Sequence, residues 1–332
     1  MRAYSLLDLS PITDNGDARR ALLNSRDLAQ HAEKLGYKRF WMAEHHNMPG
    51  VASAATAVAL GFIAEGTSSI RIASGGVMLP NHAPLVIAEQ FGTLASLYPG
   101  RVDLGLGRAP GTDTATMLAL RRDPRHAADQ FPEDVQELLH YFDAEKPGQR
   151  VRAVPGVGLG VPVWLLGSSL YSAQLAAAMG LPFAFASHFA PQMLDHALSI
   201  YRDQFKPSRY LDRPYAAAGI NVFAADSDEE GRYLMTSLEQ QFIGLRRGTP
   251  GPLRPPVEDM DAIASLSERQ QVQQALAETA VGSRATVATW IGRFLERTRV
   301  DELIVTGAMY DHAARLKSFR IAAEVLRERV AS

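Results

Sequence analysis

Glu44, His45 and His46 stand together in AEHHNMPG (43–50), directly after the apolar run Phe40, Trp41 and Met42. An acid beside two imidazoles suggests proton transfer, because an unperturbed histidine titrates near neutrality. Successive residues of an extended strand point to opposite faces, so both histidines enter one cavity only where the strand has already ended. The chain contains no H-x-H and no H-E-x-x-H, so the spacing offers no two-histidine metal site and no metal is expected. One histidine serves better as an acid or base, with a structural imidazole as the plain alternative.

Three further groups invite chemistry. Gly75 and Gly76, after Ser74, interrupt the strand-like stretch IRIASGGVML (70–79). Glycine there costs roughly 0.5–1 kcal/mol relative to alanine, and its usual reason is a bulge or close approach to a ligand or another chain segment. Ser168, Ser169 and Ser172 follow VWLLG and open a helix-like segment. Hydroxyls beside free backbone N–H groups make a phosphate site, although one serine suffices for simple capping. Arg108 supplies a guanidinium after RVDLGLG (101–107), and His188 follows PFAFAS (182–187). Together these residues suggest a ligand with a planar part and a phosphate.

Such groups need a frame that gathers them. Strand-like runs at 4–9, 39–45, 70–79, 101–107, 161–167, 182–187, 217–225 and 301–309 alternate with helical patterns. Ala21, Leu28, Ala32 and Leu35 share one helical face that stops at Gly36, and Pro84 fits the first turn of a helix carrying Leu85, Ala88, Phe91 and Ala95. Parallel strands need helical crossovers, so the repeat predicts an α/β fold, a (β/α)8 TIM-type barrel, in one domain over 1–332. An open doubly wound sheet is the rival, but no G-x-G-x-x-G follows the first strand. In a barrel the carboxyl ends of the strands carry the chemistry, and every group named above falls there. Residues 144–160 read as an irregular arm or small hairpin. The insertion at about 244–280, after strand seven, has four prolines between 250 and 256 and reads equally as a lid or as a disordered excursion.

Composition narrows the class. With 34 Lys plus Arg against 36 Asp plus Glu, the net charge of -2 gives no general attraction for nucleic acid or an anionic membrane. The absence of cysteine removes disulfides, thiolate nucleophiles and sulfur-ligated zinc, and suits a reducing cytoplasm. No apolar run approaches the roughly 20 residues of a membrane span, so a soluble cytoplasmic protein is expected.

The runs AEHHNMPG, ASGGVMLPNHAPLVIAEQFGTLASLYPGRVDLGLGRAPGTD and VWLLGSSLYSAQLAAAMGLPFAFASHFAP resemble the bacterial luciferase-like flavin monooxygenases, above all the single-chain subgroup with LGLGRAPG and LLGSS. The likeness spans nearly the whole chain and is weakest across 244–280. It implies a TIM-type barrel, commonly a homodimer, with FMN or a deazaflavin at the carboxyl ends of the strands. It gives His45 a catalytic role, sets a non-proline cis peptide at Gly75–Gly76 against the flavin ring, and assigns the flavin phosphate to Arg108, Ser168, Ser169 and Ser172. Reduced FMN would come from a separate NAD(P)H-dependent flavin reductase, because the chain shows no second nucleotide-binding motif, and O2 and a small organic molecule would be the other substrates. A deazaflavin-dependent hydride transferase and a flavin-binding protein without catalysis are the alternatives. The luciferases carry a carboxylate where Ser168 stands and a reactive cysteine that this chain lacks, so the resemblance does not extend to aldehyde oxidation or light emission.

Overall fold

Among the described residues, every strand pairs in parallel with its neighbours. The computed structural model describes residues 1–109, 114–120 and 129–330. Its strands are β1 (Ala3–Asp8), β2 (Arg39–Met42), β3 (Arg71–Met78), β4 (Val102–Gly107), β5 (Val163–Gly167), β6 (Phe183–Phe185), β7 (Ala216–Ala225), β8 (Thr279–Ser283) and β9 (Glu302–Thr306). The principal helices are α1 (Ala18–Lys34), α2 (Thr56–Glu65), α3 (Pro84–Leu97), α4 (Thr114–Ala119), α5 (Phe131–Phe142), α6 (Leu170–Met179), α7 (Leu194–Asp203), α8 (Asp228–Arg246), α9 (Leu266–Ala275), α10 (Arg284–Thr298) and α11 (His312–Val330).

Strands β1 to β6 pair in sequence, β6 pairs with β7, β7 with β9, and β9 with β1, with Tyr4 opposite Leu303. That last pairing closes the ring and removes the open sheet as an alternative. The eight ring strands match the eight expected from sequence. The ninth, β8, was not expected: it pairs only with the outer half of β7, Asn221–Ala225. It is short and polar at both ends, so its own sequence carries little strand signal.

Burial explains the strand composition. All ten residues of β7 and all four of β2 are buried, as parallel strands covered on both faces must be. The helices seal the outside: Asp17 accepts a hydrogen bond from Arg20 N–H at the start of α1, whose Ala21, Leu28 and Ala32 are buried. Inside the ring, Leu7, Trp41, Ala73, Trp164 and Ile304 form a separate apolar cluster, with Trp41 and Trp164 edge to face at 5.3 Å.

The amino end of the ring is closed by ions. Glu302 is fully buried and accepts from Ser5, Arg39 and Tyr215, while Asp103 accepts from Arg39 Nε at 3.1 Å and from Arg71 Nε at 2.6 Å. A closed amino end leaves the carboxyl end as the side open to chemistry.

The insertion is not a disordered excursion. Leu253 is fully buried; its N–H donates to Ile12 O at 2.8 Å and its carbonyl accepts from Asp14 N–H at 3.0 Å. Gln240 Nε2 ties Pro255 O to α8 at 2.8 Å, and Thr236 Oγ1 accepts from Val257 N–H at 2.9 Å. Prolines cannot donate to a ladder, so a few such bonds and one buried leucine fix the segment instead. It crosses beside the loops that follow β1 and β2, where Gly50 abuts Gly251. The 144–160 arm contains neither strand nor helix; Ala153 is buried, and Pro155 O lies where a methyl on Gly92 would be.

Candidate active site

Strand β2 ends at Met42, three residues short of its expected end, so strand alternation no longer governs 43–46. The chain turns there and Glu44 becomes the centre of a cluster. Glu44 is buried, and its Oε1 lies 2.8 Å from His46 Nε2 and 2.7 Å from His82 Nε2. Its Oε2 lies 3.3 Å from the backbone nitrogen of Met78, at the end of β3. Burial alone would push this carboxyl up, but the bonds and charges of His46 and His82 outweigh it and hold Glu44 below its usual range. The bond to Glu44 lifts His46 above the ordinary histidine range, against the opposing effect of burial.

His82 is a member of the site that the sequence expectations above do not include. It lies in PNHAP, just past the third strand, so the rule that strand carboxyl ends carry chemistry could have flagged it. Its meeting with Glu44 spans 38 residues and has no local signature.

His45 lies near enough to His188 for its charge to act on that imidazole. Burial, with the His45 charge nearby, pushes His188 down to about 4, so His188 is neutral at pH 7. Its Nδ1 is enclosed without a hydrogen-bond partner and packs on Gly219, where a methyl would approach to 2.5 Å. An enclosed nitrogen without an acceptor is best left unprotonated, which places the proton on Nε2.

Gly75 and Gly76 are joined by a cis peptide bond, as the family resemblance implies. The protein itself also demands glycine there. A methyl on Gly76 would lie 2.8 Å from Gly105 O and 3.2 Å from the Leu106 carbonyl carbon, both backbone of β4. At this point the β3–β4 register shifts between Ser74 and Val77, and Ser74 Oγ bridges the gap, bonding Gly105 O and Gly105 N at 2.9 Å each. Both glycines remain partly exposed.

The next two strands bring the polar groups together. Arg108, directly after β4, lays its guanidinium 4.0 Å from the centroid of Tyr171 in the first turn of α6. Ser169 holds the N-cap position with extended backbone, yet no side-chain hydrogen bond caps α6. Ser168 and Ser169 are partly exposed; Ser172 is buried and packs against Gly167. The simple-capping explanation of the serines therefore fails in this structure, and the first N–H groups of α6 stay available beside Arg108. Tyr171, which orients the arginine, gave no sequence signal. Pro110 to Asp113, the end of the LGLGRAPG stretch and its sequel, lie outside the described residues.

The expected residues thus fall into two groups at one barrel end. His45, Glu44 and His188 follow β2 and β6, while Gly75, Gly76, Arg108, Ser168, Ser169 and Ser172 follow one another across β3, β4 and β5. Among the described residues, no helix is long and apolar enough to cross a membrane.

Known proteins resemble this chain along nearly its whole length. A profile described as luciferase-like monooxygenase matches residues 5–322. A "Luciferase-like monooxygenase" of Escherichia coli (strain K12) is 57% identical over 326 residues, covering 98% of this chain and 97% of the relative. The crystal structure of apo-MsnO8 superposes with a TM-score of 0.87 at 30% identity, covering 98% of this chain and 99% of that one. The oxygenating constituent of 3,6-diketocamphane monooxygenase from Pseudomonas putida, a type II Baeyer–Villiger monooxygenase solved with FMN, shares the fold at a TM-score of 0.73 and 18% identity, covering 98% and 97%. A match this long identifies the chain as an enzyme of the luciferase-like monooxygenase family.

Proposed function

We propose that this enzyme takes reduced FMN from a separate NAD(P)H-dependent reductase and uses O2 to oxidise a small organic molecule. The observation that carries the proposal is the Arg108–Tyr171 pair beside the uncapped first turn of α6, next to the part-exposed Gly75–Gly76 backbone. A dianionic phosphate suits the guanidinium, the hydroxyls of Ser168, Ser169 and Ser172, and the helix N–H groups. The side-chain-free backbone at Gly75 and Gly76 suits a flat ring system. When bound, reduced FMN would supply two electrons to O2, with one oxygen atom passing to the substrate and the other leaving as water.

The chain's own residues would do the rest. His45 would hold or deliver a proton at the reacting face, and neutral His188 would offer an Nε2–H to it without adding charge. The ion cluster at the amino end and the tryptophans inside the ring keep water from entering from below. The segment around Leu253 stands beside the loops after β1 and β2 and would line the substrate side of the mouth.

The test joins binding to turnover. Purified protein titrated with FMN should show a perturbed visible spectrum, and with a flavin reductase and NADH it should change oxygen uptake when substrates are screened. An unperturbed spectrum with oxidised and reduced FMN alike refutes the proposal.

A further inference from the structure

We propose that Glu44, His46 and His82 form a binding site for one divalent transition-metal cation of the zinc kind at the carboxyl ends of β2 and β3. The inference does not depend on the flavin reading, because it concerns a donor set that needs no second ligand. One ligand atom from each residue lies within 4.8 Å of the others. Two imidazoles with one carboxylate is a donor set suited to zinc and to iron(II), and too rich in nitrogen for calcium or magnesium.

Three features favour a built site over a chance cluster. The carboxylate is buried, and a buried negative charge needs compensation, which a divalent cation held directly on its oxygen supplies in full. Its second oxygen faces the Met78 backbone nitrogen at 3.3 Å, which fixes the orientation of a ligand in the way outer partners do. The imidazoles come from two separate loops and keep side-chain exposures of 18% and 25%, against 3% for Glu44, so a solvent side stays open for ion entry and a water ligand.

The geometry also states what must move. Ligands about 2.0–2.1 Å from a tetrahedral ion stand roughly 3.3 Å apart. The present N···O separations of 2.7 and 2.8 Å are hydrogen bonds, with imidazole protons where the ion would sit. Nε2 must therefore be free of its proton, which a protonated ring releases to solvent and a neutral ring carries on Nδ1 instead, and each ring retreats from Glu44 by about half an ångström as the ion enters. Part-exposed loop rings can do this without disturbing the barrel wall.

The experiment titrates chelator-treated full-length protein with Co2+ and follows its visible ligand-field absorption. We expect a saturable signal at one equivalent, displaced by one equivalent of Zn2+. The signal should be lost in His46→Ala and His82→Ala and kept in His312→Ala, which removes an imidazole paired with Asp27 elsewhere. Circular dichroism checks that each variant is folded. X-ray absorption at the zinc edge on the wild-type protein needs no variant, and should give two imidazole nitrogens with oxygen ligands. Absence of a saturable Co2+ signal, a signal that survives in both folded alanine variants, or a zinc shell without two imidazoles would leave a hydrogen-bonded triad only and overturn the proposal.

Discussion

Arg108→Ala isolates the phosphate contribution to cofactor binding. Hydrogen bonds to charged groups contribute about 1.5–3 kcal/mol net, and a guanidinium grips phosphate through a planar fork. Arg108 is partly exposed, so solvent screens it and a loss of about 2–3 kcal/mol is the reasonable range. At about 1.4 kcal/mol per decade, FMN should bind roughly 30- to 150-fold more weakly. Tyr171→Leu removes only the stacking that orients the guanidinium at 4.0 Å, worth about 0.5–1 kcal/mol, or roughly two- to fivefold. Arg108→Lys keeps the charge but not the stacked fork, and should fall between the two. The assay is fluorescence or absorbance titration with FMN and, in parallel, riboflavin, which lacks the phosphate. Riboflavin affinity should stay within about threefold of wild type in every variant, since no phosphate contact is lost. If Arg108→Ala weakens riboflavin as much as FMN, or leaves both unchanged, the assignment of this end of the barrel to a phosphate is wrong.

Other consequences follow from the same structure. Glu302→Ala leaves the buried Arg39 guanidinium short of a partner, so denaturant unfolding should show a loss of about 3–5 kcal/mol, whereas breaking an exposed pair such as Arg232–Glu229 should leave the unfolding curve unchanged. His188 has a folded-state pKa depressed to about 4 from 6.5, so the unfolded chain binds its proton first. Stability from this residue is present above pH 6.5 and is lost as pH falls from 6.5 to 4, by at most about 3 kcal/mol. His188→Phe should flatten that part of the stability–pH curve, and an unchanged slope between pH 7 and 4.5 would count against the neutral assignment. Leu253→Ala should cost about 2–4 kcal/mol locally, read as faster proteolysis within 247–260 while the barrel core stays protected. Equal cleavage rates in variant and wild type would mean that Leu253 does not anchor the segment.

Glu44 shows why a site can be half legible. Its neighbour His46 is two residues away and the pairing is local, yet the partner that doubles the interaction, His82, arrives only because β2 and β3 are adjacent, with Met42 opposite Ser74. The same limit hides Tyr171 from Arg108, since their meeting depends on the β4–β5 pairing that sets Gly107 beside Leu166. Ser169 shows the converse: its N-cap place was readable from sequence, but the idle state of its hydroxyl was not.

Local sequence is enough to mark the eight ring strands, the helical faces between them, the glycine pair and the residue types at the strand carboxyl ends. Those features follow from local periodicity and backbone preference, which any short window of chain expresses. The closure of β9 onto β1, the attachment of β8 to the outer half of β7, the anchoring of Leu253 beside Ile12 and Asp14, and the gathering of two histidines on one buried carboxylate come from the assembled barrel. Each joins residues far apart in the chain, and such contacts form only when the burial and hydrogen bonds of the whole barrel offset the entropy of bringing them together.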